Sequence, residues 1–128
     1  MSDKDDINDI STPIDDRFYQ LVDRVPVRCT LSEYAAAMQD DAKRIVAQST
    51  VNDINISTVF TGINQNWGDG DPILFETMVF GLPDDLQPQW RFSNWDEAMD
   101  LHNLLLTTLT ECGVEPLIAE IKRKAEAA

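Results

Sequence analysis

The pattern of apolar and polar residues is clearest in two stretches of the second half of the chain. Residues 73–81, Ile-Leu-Phe-Glu-Thr-Met-Val-Phe-Gly, are almost continuously apolar, which is typical of a strand covered on both faces. From residue 94 to about residue 112, apolar side chains recur every three or four positions, which predicts a long helix. Ser93 is its expected N-cap and Gly113 its expected C-terminal cap. The apolar stripe is broad, so this helix should contact both a sheet and a second helix or subunit.

Two further strands are expected before residue 73. Residues 44–51 and 54–62 are dense in β-branched side chains, which favour strands. Asn52 and Asp53, between these two runs, fit a two-residue hairpin turn because both residue types tolerate positive φ angles. A helix that continues through Ile45 is the alternative, and the β-branched residues that follow disfavour it.

Helices are expected on both sides of these strands. Thr30 and Glu33 have the spacing of a capping box, so a helix should begin at Leu31 and end near residue 41. Pro116 should begin a last helix, because proline suits the first turn. These elements predict an α+β fold, namely a three-stranded antiparallel β-meander (about 44–51, 54–62 and 73–81) packed against a preceding short helix, a long helix and a C-terminal helix.

Composition divides the chain into two regions. Residues 1–17 contain six aspartates and few apolar residues, so we expect a flexible acidic arm followed by a single α+β domain over residues 18–128. No apolar run approaches the roughly 18–20 residues of a membrane helix, and the N-terminus lacks the apolar stretch of a signal peptide. Cys29 and Cys112 lie far apart without metal-site spacing, which favours a reducing compartment. We therefore expect a cytoplasmic protein that does not bind membranes.

The charge distribution limits the kinds of partner. The chain has 23 acidic residues against 10 Lys and Arg residues, a net charge of −13. Between Ile45 and Ile121 there are twelve acidic residues and one basic residue, Arg91. Direct binding of DNA or RNA needs several cations to neutralise phosphates, so it is not expected. The acidic surface predicts a basic partner protein, and the alternative is that it serves solubility alone.

Few residues are candidates for chemistry. His102 is the one histidine, and it lies within the apolar stripe of the long helix, where it is either a hydrogen-bonded core residue or lines a cavity together with Trp95. No Gly-x-Ser-x-Gly or Walker-type sequence is present. Asp69 and Asp71 have the alternate spacing of a calcium loop, but the acidic residue that should follow is missing. We therefore expect no enzymatic activity, no metal and no cofactor.

Glu76 and Arg91 are the most informative polar pair. Glu76 interrupts an apolar strand, and a buried carboxylate needs a partner. One interpretation is a salt bridge to Arg91. The other is a site for a nucleotide-like anion, in which Arg91 at a helix N-terminus binds phosphate and neighbouring aromatic rings stack on a base. The candidate ligand-binding residues are Arg91, Trp95, Glu76, Trp67, Trp90 and His102.

Several of these motifs also resemble those of a known family. The chain carries Ser-Thr-Val-Phe at 57–60, Asn-Trp-Gly at 66–68, Leu-Phe-Glu-Thr-Met-Val-Phe-Gly at 74–81 and Gln-Trp-Arg-Phe-Ser-Asn-Trp-Asp-Glu-Ala at 89–98, followed by His102. Over residues 54–102 it resembles a family of small uncharacterised proteins of tailed bacteriophages and prophages. That family commonly has glycine where this chain has Leu101. The resemblance implies a phage or mobile-element origin and supplies no activity.

The residues and the resemblance together give two functional hypotheses. The first is a non-enzymatic phage-type accessory protein that binds a host macromolecule through its acidic surface, and so antagonises a basic protein that handles nucleic acid or defends against phage. The alternative is a module that sequesters a nucleotide-like anion with Arg91 and Trp95 at the helix N-terminus. Either is compatible with a homo-oligomer formed through the broad apolar faces of the last two helices.

Overall fold

The computed structural model describes residues 17–127, which form six strands and four helices, so the predicted α+β class is confirmed. Apart from Arg17, the predicted acidic arm lies outside the described residues. The elements are β1 (Tyr19–Val22), β2 (Val25–Arg28), α1 (Leu31–Met38), α2 (Asp41–Arg44), β3 (Ile45–Val51), β4 (Ile54–Phe60), β5 (Phe75–Phe80), β6 (Gln89–Phe92), α3 (Trp95–Cys112) and α4 (Val114–Ala127).

The main sheet has four strands, so the prediction of a three-stranded meander was incomplete. Its order is β3-β4-β5-β6, and each neighbouring pair is antiparallel. The three predicted strands are present, and β6 is the addition, in a segment between the third predicted strand and the long helix for which no strand was predicted. Strand β6 pairs with β5 so that Phe92 lies opposite Phe75 and Arg91 lies opposite Glu76. Strands β1 and β2, which were also not predicted as a pair, form a separate two-stranded hairpin.

The turn between β3 and β4 has the predicted form. Asn52 and Asp53 have φ angles of 49° and 71°, as the tight hairpin between Val51 and Ile54 requires. Gly81, which follows β5, lies against this turn, and a Cβ atom there would be 2.4 Å from the carbonyl oxygen of Asp53. The β3–β4 turn and the segment after β5 therefore lie at the same end of the sheet.

The helix ends follow local capping signals. The capping box of α1 is confirmed, since the Glu33 amide donates to Thr30 Oγ1 (3.1 Å) and the Thr30 amide donates to Glu33 Oε1 (2.9 Å). The N-cap of α3 is Asn94 rather than Ser93, because Asn94 Oδ1 accepts from the Glu97 amide at 2.8 Å. Gly113 ends α3 as predicted, with a φ angle of 97°.

Helices α3 and α4 cover one face of the sheet. Strand β4 alternates strictly, with Ile54, Ile56, Thr58 and Phe60 buried against the helices. Strand β5 alternates in the same way, so the prediction that it is covered on both faces was wrong. An antiparallel sheet with helices on one side leaves the other side partly solvated. We call that other side the outer face; it carries Gln48, Ser57, Glu76, Met78, Phe80, Gln89 and Arg91.

The core determines the direction of α3 across the sheet. At its start, Trp95 stacks edge-on against Phe75, with ring centroids 6.4 Å apart. Further along α3, leucines 101, 105 and 109 join a core cluster with Ile54, Val79 and two residues of α4. Helix α3 therefore runs from the Phe75 end of the sheet towards the β3–β4 turn, and α4 folds back beside it.

Candidate functional site

His102 lies at the centre of a buried hydrogen-bond network. Its Nδ1 atom is 2.7 Å from Thr58 Oγ1, and its Nε2 atom is 3.0 Å from Ser49 Oγ. Thr58 Oγ1 in turn lies 2.8 Å from Thr77 Oγ1. Three adjacent strands, β3, β4 and β5, thus each supply one hydroxyl, and together they connect α3 to the sheet.

The surroundings of His102 favour its neutral form. Its side chain is buried, and burial lowers the pKa of the imidazole below its ordinary value of 6.5. Both ring nitrogens contact hydroxyl groups, which satisfy one donor and one acceptor of a neutral ring. This geometry supports the interpretation of His102 as a hydrogen-bonded core residue.

Glu76 and Arg91 form the salt bridge that was one of their two interpretations. They are cross-strand neighbours on the outer face, and Arg91 Nε is 3.4 Å from Glu76 Oε2. Gln89, on the same strand as Arg91, also donates to Glu76 Oε2. The side chain of Arg91 is 51% exposed and that of Glu76 is 17% exposed, so this is a surface pair.

The three tryptophans lie in different surroundings. Trp90 neighbours Arg91 on β6, and the alternation of the strand therefore directs the two side chains to opposite faces of the sheet. Trp95 packs on Phe75, and the guanidinium of Arg24 lies 5.2 Å from its ring centroid. Trp67, in the β4–β5 loop, is 81% exposed, and the guanidinium of Arg17 stacks on it at 3.2 Å.

The six predicted ligand-binding residues, all within the described part of the chain, are therefore distributed over several places. Glu76 and Arg91 come together on the outer face, whereas His102 is in the core and Trp67 is in a loop. No strand was predicted over 89–92, and an irregular segment would have allowed its aromatic and cationic side chains to converge. As a strand, this segment separates them.

Trp90 lines a groove on the helix-covered side of β6. The groove has a volume of about 560 Å³ and lies between β6, α3 and the C-terminal part of α4. Its apolar side chains are Trp90, Phe92, Leu101 and Leu104, and its charged side chains are Glu97, Asp100, Arg123 and Lys124. None of the α4 residues of this groove was among the predicted ligand-binding residues.

The acidic residues are largely unpaired. Of the twelve between Ile45 and Ile121, only Glu76 and Glu120 form a salt bridge within the described residues. The other ten are exposed: Asp53, Asp69, Asp71, Asp84, Asp85, Asp96, Glu97, Asp100, Glu111 and Glu115.

Three of these carboxylates lie at the same end of the sheet as an exposed aromatic ring. Asp53 lies in the β3–β4 turn, and Asp84 and Asp85 lie in the short 3₁₀ turn that follows Gly81. Phe80, the last residue of β5, is 38% exposed on the outer face at this end. We call Asp53, Phe80, Asp84 and Asp85 the acidic end.

Among residues 17–127, no three or more His, Cys, Asp or Glu residues come together as a metal site would require. None of the helices in the described part combines the length and the hydrophobicity needed to span a bilayer. Comparisons with protein-family models, with curated proteins and with solved structures found no match to the chain.

Proposed function

We propose that this is a non-enzymatic accessory protein of phage type that binds a basic host protein through its acidic surface. The observation that carries the proposal is the set of ten exposed carboxylates without an ion-pair partner in the described residues. A cytoplasmic host protein that handles nucleic acid, or one that defends the cell against phage, has the complementary basic surface. Occupation of that surface would block access of nucleic acid to it.

The acidic end is the part of this surface best suited to specific recognition. Charge alone gives fast and weakly specific association, whereas affinity concentrates in buried aromatic anchors. Phe80 supplies such an anchor, and three aspartates lie in the two turns at the same end of the sheet. A partner with an apolar pocket rimmed by Lys or Arg fits this arrangement.

The buried state of His102 also supports a binding role. A general base has to reach its substrate, and this imidazole is 1% exposed with both nitrogens engaged by hydroxyls. It lies among structural contacts rather than at a surface cleft. The exposed surfaces are consequently the places where we expect function.

The test uses purified basic nucleic-acid-binding and defence proteins of the host, each immobilised and titrated with this protein. Binding should weaken as ionic strength rises from about 0.01 M to about 0.15 M, because exposed charges are screened. A variant with Asp53, Asp84 and Asp85 each changed to Asn should bind at least about tenfold more weakly, or ~1.4 kcal/mol. Asn keeps the side-chain size and tolerates the positive φ angles of all three positions. Duplex DNA should compete with the protein for its partner.

A matched control separates a specific surface from net charge. Asp23, Asp69 and Asp71 are exposed and lie away from the acidic end. Their change to Asn removes three negative charges, the same number as in the test variant. This control should retain most of the affinity. Equal losses of affinity in the two variants would show non-specific attraction. An affinity that does not change with ionic strength would contradict the proposal.

A further inference from the structure

The groove beside α3 is lined by charges of both signs. Glu97, Asp100, Leu101 and Leu104 come from α3 at intervals that place them along one side of the helix, so this wall is acidic and apolar. Arg123 and Lys124 come from the last turns of α4 and form a basic wall, in which Arg123 also pairs with Glu120 of the same helix and Lys124 forms no ion pair within the described residues. Trp90 and Phe92 of β6 lie between the two walls. The acidic wall of one such groove can therefore pair with the basic wall of a second one.

We infer that the groove is the contact surface of a symmetric dimer, in which a second copy of this chain packs into it. In a two-fold interface the same patch meets itself, so the acidic wall of each copy lies against the basic wall of the other. Asp100 of one copy then faces Lys124 of its partner, and the reverse contact forms at the same time. The apolar side chains of both copies become buried between these contacts.

The charge of the whole chain favours this location over others. With a net charge of −13, two copies repel each other across most of their surfaces. Lys122, Arg123 and Lys124 are three of only ten basic residues, and they are consecutive. The end of α4 is therefore a place where a second copy can bring carboxylates against cations rather than against other carboxylates.

The apolar side chains of the groove favour its burial by a second copy. Leu104 is 42% exposed although it lies on the helix that packs against the sheet. It adjoins Trp90, Phe92 and Leu101 in the groove, so the exposed leucine is part of a contiguous apolar strip. A purely acidic or purely basic peptide would meet one repulsive wall here, whereas a second copy meets none. The inference concerns a different surface from the acidic end and does not depend on the proposed host partner.

The first experiment measures the mass of the full chain by analytical ultracentrifugation over a series of concentrations. We expect a dimer for the unchanged chain and a weakening of at least about tenfold for Leu104→Glu, which places a charge in the apolar strip. Leu31→Glu is the matched control, because Leu31 is also exposed (52%) and lies on α1, outside the groove. A monomer at every concentration overturns the inference. Equal effects of the two changes also overturn it.

A charge-reversal experiment tests the pairing itself. Asp100→Lys and Lys124→Glu each place like charges opposite one another in a homodimer, so each variant alone should be mainly monomeric. Mixed in equal amounts, the two variants should form a heterodimer, because both contacts again join opposite charges. Circular dichroism of each variant verifies folding. Failure of the mixture to associate, when the unchanged chain does dimerise, overturns the assignment of the interface to this groove.

Discussion

The buried position of His102 predicts a specific dependence of stability on pH. In the unfolded chain the imidazole binds a proton below about pH 6.5. In the folded protein burial lowers its pKa, and its nitrogens contact only the hydroxyls of Ser49 and Thr58, so no carboxylate there stabilises the cation. Between the two pKa values the unfolded state therefore holds more protons. Stability is full above about pH 6.5 and is lost as the pH falls towards the pKa of the folded state.

The magnitude follows from proton linkage. One proton bound only by the unfolded state changes the free energy of unfolding by about 1.4 kcal/mol per pH unit. Between about pH 6.5 and about pH 5 the loss from His102 therefore reaches at most about 2 kcal/mol. Replacement of His102 by Gln removes this titration. At neutral pH it costs about 1–3 kcal/mol, because a buried hydroxyl of the network loses its partner.

Urea denaturation of the two proteins from about pH 7.5 to about pH 5 tests the reasoning. Carboxylates titrate in both proteins, so their effect largely cancels in the difference. The His102→Gln variant should be less stable than the unchanged protein at the upper pH. The difference between their free energies of unfolding should become smaller as the pH falls. If this difference stays constant, the folded protein binds the proton on His102 as readily as the unfolded chain does. That result would refute the argument from burial.

Four other substitutions test a turn, a helix cap and the surface pair by the same urea method. Gly81→Ala should destabilise by about 2 kcal/mol or more, because φ is 92° and the new Cβ would meet the carbonyl oxygen of Asp53. Asn94→Ala should cost about 1 kcal/mol, whereas Ser93→Ala, outside the observed cap, should cost under about 0.5 kcal/mol. Arg91→Ala should change stability by only about 0–1 kcal/mol, since its salt bridge is exposed.

The elements predicted from the sequence were those whose signals are local. The capping box of Thr30 and Glu33 lies within four residues, and the hairpin turn at Asn52 and Asp53 within two. Strand β4 has a full period-two pattern over seven residues. In each case neighbouring residues alone define the conformation, so no knowledge of distant parts of the chain was needed.

The missed strands carry no clear local signal. Strand β6 is four residues long and follows Pro88, too short for its alternation to be distinguished from a turn. It forms because β5 offers an edge with which it pairs from Phe75 to Met78, and just before β5 the Leu74 amide donates to the Phe92 carbonyl (3.0 Å). The β1–β2 turn contains Arg24 at a φ angle of 72°, a conformation that arginine seldom adopts, and no sequence signal therefore marked it.

The candidate site was affected by the same limitation. The pairing of Glu76 with Arg91 could be predicted, because each was the one charged residue without an evident role in its surroundings. The location of this pair in the fold could not be predicted, because the register of β6 decides which side chains share a face of the sheet. One hydrogen-bond partner of His102 could have been predicted from the sequence. Thr58 alternates with apolar residues that face the core, and a buried hydroxyl at that position requires a hydrogen bond.

The direction of α3 keeps the two proposed surfaces apart. Its start lies over Phe75, and His102 lies over Thr58, so the helix approaches the acidic end only near its C-terminus. The α3 residues that line the groove come from the first ten positions of that helix, away from its C-terminus. A dimer formed there covers the consecutive cations of α4 and leaves both acidic ends free. Such a dimer presents two equivalent anionic surfaces, which raises the avidity for a host protein that is itself dimeric or repeated along nucleic acid.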